Sequence, residues 1–327
     1  MADLVFAAHY PFLSEAKEWV KQAGAQINSE AISLGEQRVG ACLKGGAIAP
    51  RASELEADLR AEVLSYAASR VIAACMANRL VTSRLAVGEA KRASAFLRSA
   101  SDQANGFVEK AAAELSLHFE QPGAQYALPV WEYLLNTPRS IDYKLTVREL
   151  AGGKVKVSAH QRLRIIEEAV RKKVESFPLP KMKEWPLEVQ EASSRLVKLL
   201  PKEEIAPTAI ATEDFPPCIR KLIEDLRTSI NVPHNARYAL AIYMIKAGLP
   251  DGQIVKLFQN APDFSAETTS YQVKYIRQKG YSMPSCSTMD TYGICIADCR
   301  CGTPTNYRKK FHGANAERSM SKPDEQL

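Results

Sequence analysis

The sequence predicts a mainly α protein: an N-terminal helical bundle with a small α/β part containing one hairpin, linked to a C-terminal domain that is all-α-rich. Three observations predict it. Apolar residues recur at helical spacing through residues 1–135, and the period drops to two only between Tyr143 and Ser158. Two proline-bearing stretches and a polar segment then separate this part from a cysteine-bearing C-terminal third. A length of 327 residues suits two domains. The expected boundaries are 1–200 for the first domain, 201–213 for a linker, 214–312 for the second domain and 313–327 for a disordered tail.

Taken in order, Ser14 is a plausible N-cap and Gly24 closes the helix it starts. Ser53 and Glu56 have capping-box spacing ahead of Leu55, Leu59, Val63 and Leu64, four apolar residues placed on one helical face. Residues 67–76 carry a single charge, at Arg70, and read as a helix in the middle of the bundle. A third helix runs through residues 90–98. Leu145, Val147, Val155 and Val157 alternate with Thr146, Arg148, Lys154 and Lys156 around Ala151-Gly152-Gly153, which signals a hairpin. Arg148, Lys154 and Lys156 would project from its polar face, and a basic amphipathic helix follows over residues 161–176. The hairpin and this helix are candidate partner surfaces. Beyond Pro178, Pro180 and Pro186, residues 201–214 lack a helical face and read as the linker.

No stretch approaches a membrane span, and the first residues lack the basic start of a targeting signal. The expected location is the cytoplasm, where the seven cysteines would be reduced thiols. Cys42 and Cys75 stand alone and read as packing residues. The other five, Cys218, Cys286, Cys295, Cys299 and Cys301, lie beyond the linker, and the last four fall within sixteen residues. Soft thiolates brought together in a reducing compartment point to zinc or iron–sulfur chemistry. A zinc ribbon would offer Cys-x-x-Cys knuckles, and the chain has none. Chemistry and spacing therefore predict a metal–thiolate site without naming the metal. Pro216-Pro217 places Cys218 at a helix N-terminus, where the dipole should lower its pKa.

The segment 268–312 holds seven basic residues (Lys274, Arg277, Lys279, Arg300, Arg308, Lys309 and Lys310) against Asp290 and Asp298, most of the chain's net charge of +6. It also carries Tyr271, Tyr275, Tyr281, Tyr292 and Tyr307. Cations interleaved with aromatics suit single-stranded nucleic acid, because phosphates take the charge and bases stack on rings. On a helix, Tyr271, Lys274, Tyr275 and Gln278 share a face. Arg237, Tyr271, Lys274 and Arg277 are expected to line one binding surface. Asn235 is a fair N-cap for the helix that carries Arg237.

Pro216-Pro-Cys-Ile-Arg-Lys-Leu, His234-Asn-Ala-Arg-Tyr-Ala-Leu, Tyr281-Ser-Met-Pro-Ser-Cys-Ser-Thr-Met and Tyr292-Gly-Ile-Cys resemble, in order, the iron–sulfur domain of the archaeal-type DNA primase large subunit. Tyr10-Pro-Phe-Leu, residues 87–93 and Tyr133-Leu-Leu-Asn-Thr-Pro ahead of Val147-Arg-Glu-Leu resemble its N-terminal region. The resemblance implies a regulatory subunit in a heterodimer with the catalytic small subunit, acting in DNA replication and associated with the nucleoid. It implies one 4Fe–4S cluster on Cys218, Cys286, Cys295 and Cys301, with Cys299 as the alternative fourth ligand. It also implies that this domain contacts single-stranded template, the RNA–DNA primer junction and nucleotides, and it places His234 and Arg237 in that contact set. Where the family carries basic residues, this chain has Asn231 and Pro233, and Thr303-Pro304-Thr305 replaces Asn-Pro-Leu.

A template-copying polymerase needs paired carboxylates for its metals, and the chain has no Asp-x-Asp pair and no Walker-type loop. No primer synthesis by this chain alone is expected. The alternatives are a free-standing zinc-dependent single-strand binding protein and, ranked below it, an iron–sulfur redox carrier.

Overall fold

Asp3 starts the first helix: its carboxylate accepts from the backbone N–H groups of Val5 (2.9 Å) and Phe6 (3.1 Å), which lack partners within the helix. In this computed structural model, residues 3–46, 48–49, 55–121, 123–138, 140–201 and 214–307 are described. The readings on Ser53, on most of the linker and on the tail with Arg308, Lys309 and Lys310 lie outside them. The chain divides into two compact units, Met1–Leu200 and Pro201–Leu327.

The first unit begins with α1 (Leu4–His9), α2 (Ser14–Ala23), α3 (Ser29–Leu43), α4 (Glu56–Met76) and α5 (Arg79–Leu97). Asn28 and Asn78 cap α3 and α5 through their side chains. Gly24 ends α2 in the left-handed conformation, as expected. Ser14 is not the cap: it is the first helical residue, and its N–H donates to Glu114 at 2.7 Å. Leu55 lies outside the face of Leu59 and Val63, because it precedes the helix and is exposed. The near-neutral run of α4 is buried around Ala68, Ile72 and Ala73.

Gly35 lets α3 approach α4 closely. A Cβ there would stand 2.8 Å from both Ala68 Cβ and the Ser69 backbone nitrogen. Gly35→Ala is therefore expected to cost about 1–3 kcal/mol through forced separation of the helices. A thermal melt checks this, and an unchanged Tm would show that the helices part freely.

Charges are buried among these helices. Arg38 makes a two-pronged bond to Glu89 (2.6 and 2.9 Å) and a third bond to Glu62 (3.0 Å). Arg92 bonds the same Glu62 (2.8 Å) and the carbonyls of Ala8 and His9, both at 3.0 Å. Burial and the neighbouring Arg38 push the pKa of Arg92 down to about 10, against the pull of Glu62.

After α6 (Ala100–Ala104) and α7 (Phe107–Glu114) come β1 (Tyr126–Pro129), α8 (Val130–Asn136), β2 (Leu150–Ala151), β3 (Lys154–Val157), α9 (Ala159–Ser176) and α10 (Leu187–Val197). The mainly α expectation holds, with one small antiparallel sheet in the order β1-β3-β2. Gly152 and Gly153 make the hairpin turn with φ of 56° and 74°, a conformation that L side chains rarely adopt. The first arm is shorter than expected, because Leu145–Val147 form a 3₁₀ turn and only Leu150 and Ala151 pair with β3. Val155 and Val157 are buried against α9, which starts on a Ser158–Gln161 capping box.

The second unit holds α11 (Pro217–Arg227), α12 (His234–Lys246), α13 (Asp251–Leu257), α14 (Ala266–Lys279) and α15 (Cys286–Thr291) around one apolar core. Among its described residues there is no strand. Pro233, not Asn235, occupies the cap position of α12, and the helix begins at His234.

Candidate metal centre and nucleic-acid surface

The second unit brings together the five distal cysteines, which are free of disulfides. Cys218 sits in the first turn of α11, Cys286 opens α15, and Cys295, Cys299 and Cys301 lie in the loop that follows. The Sγ atoms of Cys286 and Cys301 are 3.4 Å apart. The thiols of Cys295 and Cys299 both turn to the Ala297 carbonyl, at 3.5 and 3.3 Å. Among the described residues, no three His, Cys, Asp or Glu donors converge closely enough to hold one metal ion.

The thiols act on one another. Burial pushes Cys218 up to about 11; proximity to Cys299, Cys295 and Cys286 adds to this, and the Ile219 N–H opposes it. The lowered pKa expected from the helix position is thus overturned, because desolvation and neighbouring sulfur outweigh one helix terminus. Burial likewise raises Cys301 to about 12, with Cys286 and Cys299 as its neighbours. Cys299 therefore stands near both Cys218 and Cys301.

Four tyrosines form a ladder across α14, the turn after it and α12. Tyr271 stacks on Tyr275 (centroids 6.2 Å, planes 19° apart), Tyr275 meets Tyr281 at 6.2 Å, and Tyr281 meets Tyr238 edge-on at 5.5 Å. Tyr271 is 68% exposed and Tyr275 40%. Lys274 is exposed on the same helix, and Lys279 lies over the Tyr275 ring at 5.7 Å.

The two arginines expected on this face are engaged elsewhere. Arg277 points away from Tyr271 around α14 and bonds Asp251 (2.6 Å) and the Leu249 carbonyl (2.6 Å). Arg237 makes a two-pronged ion pair with Asp263, both bonds 2.8 Å. Its Nε is buried without a hydrogen-bond partner. Arg237 and His234 instead flank a shallow cleft between α12 and α14, lined by Phe258, Phe264, Val273 and Ile276. Nothing local in the sequence announces these pairings, since Asp251 and Asp263 lie 26 residues from the arginines they meet. Tyr238 was also missed, although it stands next to Arg237.

The hairpin's cations likewise find partners within the first unit. Lys154 pairs with Glu120 (2.6 Å), Lys156 with Glu149, and Arg148 donates to the Asp142 carbonyl. What that region exposes is apolar: Trp131, Leu134 and Leu135 on α8, then Val147 and Leu150, each more than half exposed. No helix among the described residues is long and apolar enough to cross a membrane.

A helical protein that gathers thiols and an aromatic ladder in one unit is the class this geometry defines, and comparison with known proteins gives it a family. Residues 208–325 match the family model for the C-terminal domain of the eukaryotic and archaeal DNA primase large subunit. The DNA primase large subunit PriL of Methanosarcina acetivorans is 33% identical over 88% of this chain and 82% of its own length. That of Methanocella arvoryzae is 30% identical over 96% and 91% respectively. That of Archaeoglobus fulgidus is 31% identical over 76% and 68%. The chain belongs to the DNA primase large-subunit family.

Proposed function

We propose that this chain is the accessory, non-catalytic subunit of a heterodimeric DNA primase acting in DNA replication. Its N-terminal unit docks on the catalytic small subunit. Its C-terminal unit carries one 4Fe–4S cluster and holds single-stranded template, initiating nucleotides and the RNA–DNA primer junction for the partner. The observation that carries this reading is the gathering of five thiols inside the region matched to the family. The donor set fits: it is soft, free of disulfides and already mutually close. An iron–sulfur core is wider than one ion, which suits sulfurs that share a region without converging on a point. Cys218, Cys286, Cys295 and Cys301 would hold it, with Cys299 as the alternative fourth ligand. Bound there, the cluster would tie α11 to α15 and its closing loop through thiolate bonds.

The remaining chemistry belongs to this chain's own side chains. Tyr271 and Tyr275 offer ring faces to unstacked bases, and Lys274 offers a mobile cation to a phosphate. His234 and Arg237 flank a cleft with an apolar floor, suited to a base, and a phosphate at its edge would share Arg237 with Asp263. The carboxylates that hold catalytic metals would come from the small subunit. Trp131, Leu134, Leu135, Val147 and Leu150 are the surface offered to it, since they are exposed apolar side chains and the nearby Lys154 and Lys156 are already ion-paired.

Anaerobic purification with the catalytic partner tests the whole reading. The expected result is a stable pair, with about four irons per large subunit. Stoichiometric zinc without iron would overturn the cluster, and failure of the two chains to co-purify would overturn the subunit role. For the nucleic-acid surface, Tyr271→Ala is expected to weaken single-strand binding by about 1–3 kcal/mol through lost stacking. Lys274→Ala should reduce the slope of log affinity against log salt by about one. Titration of a fluorescent oligonucleotide at several salt concentrations reads both.

A further inference from the structure

The first unit carries a second concave surface that none of the roles above uses. A groove of about 380 Å³ lies between α2, α4 and the segment that follows α9. Its wall is apolar, built from residues such as Val20, Ile27, Val63 and Val71. Three cations line it, Lys17, Lys21 and Arg70, and no acidic side chain does so among the described residues.

Arg70 is the unusual member. It is only 5% exposed, yet it has no carboxylate within ion-pair distance among the described residues. Its guanidinium donates to two carbonyls at the end of α9, Val174 (2.9 Å) and Phe177, while its Nε has no partner. Burial lowers its pKa, with only partial relief from Tyr66 and Glu89. The Phe177 ring stands between this arginine, 5.7 Å away, and Lys17, 4.1 Å away. Among the other deeply buried arginines of the bundle, Arg38 and Arg92 each meet a glutamate, while Arg84 donates to the Leu43 carbonyl. A buried charge is ordinarily paired, so the groove lacks an anion on one side and apolar side chains to cover its wall on the other.

We infer that this groove is a docking site for a short acidic, amphipathic peptide of a protein other than the catalytic partner, with the peptide's apolar face on the wall and its carboxylate toward Arg70 and Lys17. Charge complementarity selects this occupant. A nucleic acid would meet an aliphatic wall with few places for phosphates, whereas a helix with one apolar face and an acidic flank fills both needs. The inference does not depend on the cluster or on the primer-binding role.

The test is selection of a displayed library of random 12-residue peptides on the immobilised full-length protein. Affinities of enriched peptides are then measured by fluorescence anisotropy. Enriched sequences are expected to carry an acidic residue beside apolar residues at helical spacing. Their affinity should fall at least tenfold on changing that acid to its amide. It should fall equally with the surface variant Lys17→Glu/Lys21→Glu and with Ala67→Phe, which fills the groove from α4 without disturbing the Arg70 bonds. No enrichment, binding that survives either variant while it remains folded by circular dichroism, or selection of neutral or basic peptides would each overturn the inference.

Discussion

Replacing Cys218 by serine should strip the C-terminal unit of its iron and sharply reduce de novo priming by the reconstituted pair. Cys218 is buried in the first turn of α11 and is the one proposed ligand that lies outside the segment 286–301. Serine keeps the size but offers a hard, poorly ionised oxygen to soft iron. Because ligation is coupled to folding, the loss should appear twice. Iron should fall from about four per chain to well below that, and the C-terminal unit should melt earlier. Primer initiation should drop by at least about tenfold, since loss of the proposed cluster would loosen the elements proposed to place the template, while extension of a preformed primer by the catalytic partner should persist. Retained iron with full initiation in Cys218→Ser would remove this residue from the ligand set. The same assay on Cys299→Ser and Cys301→Ser distinguishes the two candidate fourth ligands, because only the true ligand should reproduce the loss.

The second large effect concerns the buried charges of the bundle. Glu89 is fully buried and takes two bonds from Arg38, itself nearly inaccessible. Glu89→Ala leaves that guanidinium with only Glu62 and Ser65, and Glu62 is already shared with Arg92. Breaking a buried pair from one side costs about 3–5 kcal/mol, because the remaining charge stays desolvated. For a unit of this size that corresponds to a Tm drop of roughly 6–20 °C. Removing both partners, as Arg38→Met/Glu89→Leu, should cost much less, since no unpaired ion remains at that position. Equal losses in the single and double variants would show that the cost lies in packing rather than in charge.

The parts of the fold written in local chemistry were legible in the sequence. Gly24, the Gly152-Gly153 turn and the helix over residues 161–176 each depend on neighbours a few positions away. The cysteines were legible for a different reason: four thiols within sixteen residues have few other uses. What escaped were long-range pairings. β1 pairs with β3 about thirty residues later and carries no alternation of its own, while the alternation at Leu145 and Val147 was absorbed by a 3₁₀ turn. Arg237 and Arg277 looked like free cations because nothing local shows that Asp263 and Asp251 fold back onto them. Arg237 and Arg277 are thus ion-paired rather than free beside Tyr271 and Lys274, whereas the stacking of Tyr271 on Tyr275 follows directly from helical spacing.

Glu132 gives the exposed apolar face its permanence. This carboxylate is buried within α8 and accepts both the backbone N–H (2.7 Å) and the imidazole (2.8 Å) of His118, while the next residue, Tyr133, is buried and bonds the Tyr143 carbonyl at 2.9 Å. With those two side chains fixed inward, α8 cannot roll to hide Trp131, Leu134 and Leu135. Wet apolar surface that cannot fold away is a colloidal liability, so the chain by itself should be prone to self-association as its concentration rises. The same rigidity means that whatever covers the face spends little on ordering it, and the lifetime of that contact, more than its rate of formation, is where the benefit should appear.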